Sequence, residues 1–131
     1  MNVGDVLERS AHVERINLVM YAGASGDFNP IHWNETFAKA VGLPDVIAHG
    51  MYTQAQLGTL LVELAGGDPG RILSFSLRFS APVVVADDGG AELDLRAEVV
   101  AVEEGVASVS MTARSAGVDV VKDAVATLRV A

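Results

Sequence analysis

Residues 51–65 read MYTQAQLGTLLVELA, and most of the fold follows from them. Leu57, Leu60, Leu61 and Leu64 recur at the i, i+3, i+4, i+7 spacing that places them on one face of an α-helix. Met51, Ala55, Gly58 and Val62 line a second face, so the pattern predicts a helix over about 51–65 that is apolar on most sides. Such a helix belongs in a core, for example wrapped by a curved sheet. Gly66, Gly67, Asp68, Pro69 and Gly70 end it.

The chain on either side has two textures. From Arg71 the period becomes two, with Leu73, Phe75, Leu77 and Phe79 on one face and Ile72, Ser74, Ser76 and Arg78 on the other, as in a half-buried strand. Asp87 to Gly90 make a turn. The runs 91–102, 106–114 and 118–130 are rich in Val, Leu and Ala and are parted by Glu103-Glu104-Gly105 and Ala116-Gly117, which predicts an antiparallel meander. Upstream, Ile16, Val19 and Met20 indicate a helix over 14–24 that fails by Gly26 and Pro30. A second, over 34–41, has Asn34 as N-cap and Gly42 and Pro44 as stop signals. Helices and strands are segregated, so the fold class is α+β.

With 131 residues the chain is expected to form one domain, 1–131, and half of its residues are hydrophobic, enough for a core without a disulfide or metal staple. Seventeen acidic residues against nine basic give a net charge of -8, with no basic cluster, which argues against nucleic acid as a partner. Without cysteine there is no thiol chemistry. The first residues carry no basic-then-apolar leader, and no run approaches the roughly 18 apolar residues of a membrane span. The expectation is a soluble cytoplasmic protein without membrane association.

Chemistry concentrates in residues 21–51, YAGASGDFNPIHWNETFAKAVGLPDVIAHGM. Asp27 and His32 are five residues apart, which a helix would not align, but Gly26 permits a tight turn and Pro30 drives Asn29 away from helical dihedrals. The chain can therefore bring a carboxylate and an imidazole together as an acid/base pair. Taken alone, Asp-x-Asn-Pro is more often plain turn chemistry. What adds weight is Ile47-Ala48-His49-Gly50-Met51 at the start of the long helix, where unpaired amides meet the positive dipole end and Gly50 leaves room for a carbonyl oxygen. Acid, base and oxyanion donor suit proton transfer beside a carbonyl, as in adding water to an α,β-unsaturated thioester. His49 lies 17 residues beyond His32 with no His or Cys between, a poor metal spacing, and is read as ordering its loop. No nucleotide-binding glycine loop is present, and neither a metal nor a bound cofactor is expected.

Tyr21-Ala22-Gly23, Ser25 to His32 and Ile47 to Met51 resemble the signature of the MaoC-like, R-specific hydratase/dehydratase family. Within it, Trp33, Val41-Gly42-Leu43, Gly67 to Gly70, Arg78-Phe79 and Gly90 to Leu93 make the chain most similar to the catalytic B-type subunit of actinobacterial (3R)-hydroxyacyl-acyl-carrier-protein dehydratases. The resemblance implies a single hot-dog domain, a helix wrapped by a curved antiparallel sheet, with its site at a dimer interface. It also implies Asp27 and His32 as the catalytic pair, Asn29 as a residue orienting them, and Gly50 N–H as the oxyanion donor. His49 is grouped with Gly50 and Asn29 on the substrate-binding side. Some family members carry a serine near the site on the long helix, where this chain reads Thr53 to Gly58. Gln54 and Gln56 stand out in that helix and are expected to meet a partner subunit or a polar network.

The leading reading is a (3R)-3-hydroxyacyl thioester dehydratase, or trans-2-enoyl thioester hydratase, acting on acyl-carrier-protein substrates in fatty acid elongation. The alternatives are an R-specific enoyl-CoA hydratase homodimer, a non-catalytic acyl-binding hot-dog subunit and a hot-dog thioesterase. The implied partner is a second copy or a related hot-dog subunit. The thioester carrier, acyl-carrier protein or CoA, is anionic, so docking needs a basic patch, with Arg15, Lys39, Arg71 and Arg78 as candidates, or a basic surface lent by a partner.

Overall fold

The computed structural model describes residues 1–130. Among them run β1 (Val6–Val13), α1 (Arg15–Ser25), α2 (Glu35–Ala40), α3 (Gly50–Leu64), β2 (Ile72–Phe79), β3 (Ala91–Glu103), β4 (Val106–Ser115), β5 (Val118–Asp119) and β6 (Val121–Arg129), with single 3-10 turns at Pro30–His32 and Pro69–Arg71. The strands form one antiparallel sheet in the order β1-β3-β4-β6-β2, with β5 a short addition on β4.

Period-two burial builds the inner face of this sheet. Leu93, Leu95, Ala97 and Val99 of β3 lie beside Ala107, Val109, Met111 and Ala113 of β4 and Ala124, Ala126 and Leu128 of β6, all buried. The leucine face of α3 closes onto them. Leu57, Leu60 and Leu61 are fully buried, each transfer from water contributing about 2 kcal/mol. This is the helix-on-curled-sheet arrangement of the hot-dog fold, and the irregularity between Val99 and Ala101 of β3 marks one of its bends.

Four features depart from the sequence reading. Only one side of α3 is covered: Met51 is 56 % exposed, and Ala55, Thr59 and Glu63 continue the open strip at i, i+4 spacing. A chain of this size has one sheet to offer, and it curls over the leucines alone. Second, β1 was not foreseen, because Arg9 occupies an inward position opposite Leu95 and breaks the apolar alternation; its guanidinium reaches out to Glu63 of α3. Third, β2 does not continue a meander but crosses to the far edge to pair with β6. Irregularities between Ile72 and Ser74 and between Ser76 and Arg78 reset its faces, so Ile72 packs on the core while Leu73 is 46 % exposed. Fourth, the run 118–130 is broken at buried Val120, whose N–H bonds Ala113 on β4 and whose carbonyl accepts from Ser80, just past β2.

Two connections without regular structure hold the start of α3 in place. Residues 46–48 run against 83–85, with Ala48 N–H donating to the Val83 carbonyl (2.9 Å) and Val85 N–H to that of Val46 (2.9 Å). Arg15, at the start of α1, ties the same region together through the Val85 carbonyl (3.1 Å), Glu35 (3.1 Å) and Asp45 (2.5 Å).

Candidate active site

Helix α1 ends where Gly26 adopts φ +77 and donates its N–H to the Ala22 carbonyl, a left-handed cap that turns the chain off the helix axis. The following loop is braced by its own short side chains. Asp27 N–H donates to Ser25 Oγ (3.2 Å), Asn29 N–H to Asp27 Oδ1 (3.1 Å) and Ile31 N–H to Asn29 Oδ1 (3.2 Å). The Trp33 indole N–H closes the loop onto the Phe28 carbonyl (3.0 Å). Asn29 thus caps the 3-10 turn that carries His32, and its backbone steadies the Asp27 carboxylate.

His32 is buried, and its Nδ1 lies 2.7 Å from the Ile47 carbonyl oxygen. A carbonyl only accepts, so Nδ1 carries the proton and Nε2 keeps a lone pair. That Nε2 is 3.8 Å from Asp27 Oδ2. Burial pushes the His32 pKa below its ordinary value; the Ile47 bond and the Asp27 charge oppose this, and neighbouring His49 adds to it. The ring is thereby held neutral, able to accept a proton. The Asp27 side chain is 54 % exposed and reaches the site from its open side.

His49 lies behind His32. Its ring is 2 % exposed, stacks on that of His32 at a centroid separation of 3.7 Å and 20°, and meets Tyr21 on its own side at 4.8 Å. Its Nε2–H donates to the Asp27 main-chain carbonyl (3.0 Å), while Nδ1 is buried without a partner among the described residues. Gly50 follows as the first residue of α3, so its amide has no acceptor within the helix. A Cβ at Gly50 would sit 2.8 Å from the Phe79 ring, so a larger residue there needs the half-exposed ring or the helix start to shift. His32, Gly50, Thr53, Phe79, Pro82 and Val120 line a cleft of about 370 Å³.

Asp27, His32, His49 and Gly50 are therefore brought together, whereas the Asn29 side chain turns to Ile31 and acts on the pair only through the loop. One ligand atom each from Asp27, His32 and His49 lies within 4.8 Å of the others. The geometry is poor for a metal, because His32 Nδ1 and His49 Nε2 are engaged with carbonyls and the remaining nitrogens lie in nearly parallel stacked planes. The sequence reading missed the Ile47 carbonyl, a backbone group with no residue-type signal, and the place of Phe79 in the cleft, since its position on one face of a half-buried strand carries no signal of a site. Gln54 and Gln56 are half-buried. The candidate docking cations each stand beside a carboxylate. Arg15 is committed to Glu35 and Asp45, Lys39 pairs with Glu35 (2.6 Å), Arg78 with Asp123 (2.6 Å) and Arg71 faces Asp68 (3.7 Å). No helix among the described residues is long and apolar enough to cross a membrane.

Fold and site together define a hot-dog domain carrying a carboxylate–imidazole pair at the amide end of its helix. The chain belongs to the MaoC like domain family, which matches residues 3–120. The 3-hydroxyacyl-thioester dehydratase X of Mycobacterium tuberculosis is 41 % identical over 85 residues, 58 % of this chain and 29 % of that protein. The (R)-specific enoyl-CoA hydratase of Aeromonas caviae is 31 % identical over 97 residues, 74 % of this chain and 72 % of that one. Among solved structures, a MaoC-like dehydratase superposes with a TM-score of 0.95 at 36 % identity, covering all of this chain and 41 % of that one. The ChsH1-ChsH2 complex of M. tuberculosis gives 0.85 at 25 % identity, covering 99 % and 98 %. The chain thus spans 29 % of the first of these relatives and 41 % of the first of these structures.

Proposed function

We propose that the protein is a hydro-lyase interconverting a (3R)-3-hydroxyacyl thioester with the trans-2-enoyl thioester and water. The observation that carries this reading is the free Nε2 of a neutral His32 facing the Asp27 carboxylate at 3.8 Å beside the first-turn amide of Gly50. In dehydration, His32 Nε2 takes the α-proton, and the electron pair moves onto the thioester oxygen, where the Gly50 N–H stabilises it. The α-proton passes from His32 to the Asp27 carboxylate, and the electron pair returns to form the carbon–carbon double bond and expels the β-hydroxyl, which leaves as water with that proton. Asp27 and His32 are thereby returned to the carboxylate and the neutral imidazole from which they started. No cofactor takes part.

The carrier read here is acyl-carrier protein, in fatty acid elongation. Support comes from the resemblance to the B-type subunit of carrier-protein dehydratases. The open β2 edge, with Leu73 and Phe79 exposed, and the open strip of α3 supply surface for a related hot-dog subunit. A CoA-specific reading is favoured by the match to the Aeromonas hydratase, which covers 74 % of this chain and 72 % of that protein. The deciding experiment is turnover on matched crotonyl-CoA and crotonyl-carrier-protein substrates, alone and with a hot-dog partner. Hydration without release of free thiol supports the hydro-lyase reading. Thiol release makes the protein a thioesterase, and no turnover in either setting makes it a non-catalytic subunit.

A further inference from the structure

His49 is nearly fully buried, yet it is the described residue whose side-chain nitrogen, Nδ1, lacks any hydrogen bond. A buried polar atom without a partner is destabilising, a penalty that an apolar ring of the same shape would not incur. The compensation must come from the rest of the side chain. Nε2–H holds the Asp27 carbonyl, tying the Asp27 loop to the residue that precedes α3 across 22 positions of sequence. The ring face supports His32 at 3.7 Å and is itself backed by Tyr21. His49 therefore touches both members of the pair from behind, and it does not line the cleft.

We propose that His49 is a positioning residue rather than a substrate-binding one: through its Nε2–H bond to the Asp27 main chain and its stack beneath His32, it sets the 3.8 Å separation of the pair relative to Gly50. The inference rests on the hydro-lyase reading. A displacement near 1 Å in such a constellation costs about a hundredfold in rate, so the loss is expected in kcat, while KM, set by the cleft, stays nearly constant.

Three substitutions separate the parts. Glutamine places its amide N–H near the His49 Nε2 position, asparagine is too short to do so, and phenylalanine keeps the ring while removing both nitrogens. His49→Gln is expected to keep kcat for crotonyl-thioester hydration within about tenfold of the parent protein, whereas His49→Asn and His49→Phe lose about a hundredfold with KM changed little. The Gln/Asn pair, alike in polarity, keeps the test decisive should the phenylalanine variant fold poorly. Equal losses in Gln and Asn, full activity in Phe, or a change confined to KM overturns the proposal. Inactivity of the parent protein itself overturns the hydro-lyase reading instead, so the two failures are distinct.

Discussion

The Nδ1–H of His32 donates to the main-chain carbonyl of Ile47 at 2.7 Å, across 15 residues of sequence, and this bond leaves the opposite nitrogen aimed at Asp27. Residue 47 itself is held by a pairing of two loops: Val46 and Ala48, on either side of it, bond to Val85 and Val83. The proton on the catalytic candidate is thus fixed by backbone geometry remote from it, and the outcomes below test links in that chain.

His32 and His12 should titrate on opposite sides of the ordinary value of 6.5. Burial depresses His32, while the exposed His12 is raised by its bond to Glu92, with Glu14 adding to it. A depressed imidazole binds fewer protons in the folded state than unfolded, so its contribution to stability is present above 6.5 and is lost as the pH falls below it. Because His32 stays neutral there, the rate should hold as pH drops through 6.5 and fall only at lower pH. NMR titration of the imidazole Cε1–H resonances checks both directions. A His32 midpoint above 6.5 contradicts the assignment.

Gly50→Ala should couple to Phe79. The added Cβ meets the aromatic ring at 2.8 Å, so either the ring or the start of α3 must move, at a cost of about 1–3 kcal/mol. Since Phe79 is 52 % exposed, Phe79→Ala should cost little alone and should recover most of the lost stability in the double variant. Thermal unfolding of the four proteins gives the coupling directly, and additive losses would mean that the ring is not the obstacle.

Arg15→Met should damage the site from a distance. It strips hydrogen-bonded partners from Asp45 and the Val85 carbonyl, at about 2 kcal/mol, and frees the segments that carry residues 46–48. Denaturant unfolding should show the loss, with activity falling alongside it. If Arg15 instead serves in carrier docking, stability is unchanged and only KM for the carrier-linked substrate rises.

Much of this was legible before the structure. Gly26, Asp27, Asn29, Pro30 and His32 act within one loop, so local turn chemistry exposes them, and the leucines of α3 announce their face by spacing. The remainder depends on long-range or backbone facts. Arg9 disguises β1 because an edge position lets its charge escape to Glu63. The β2 irregularities invert Ile72 and Leu73, since a one-residue slip exchanges the faces of a strand. The opposition of residues 46–48 to 83–85 joins two segments that carry no strand pattern, and the role of Ile47 resides in a carbonyl that every residue possesses.

The central claim, that Asp27 and His32 form one proton-transferring pair, is tested most directly by the rate of crotonyl-thioester hydration in purified Asp27→Asn and His32→Ala proteins shown to be folded. Each is expected to fall by about 10²–10⁴ relative to the parent, with the parent yielding the (3R)-3-hydroxy product. Near-parental turnover in either folded variant would contradict the account.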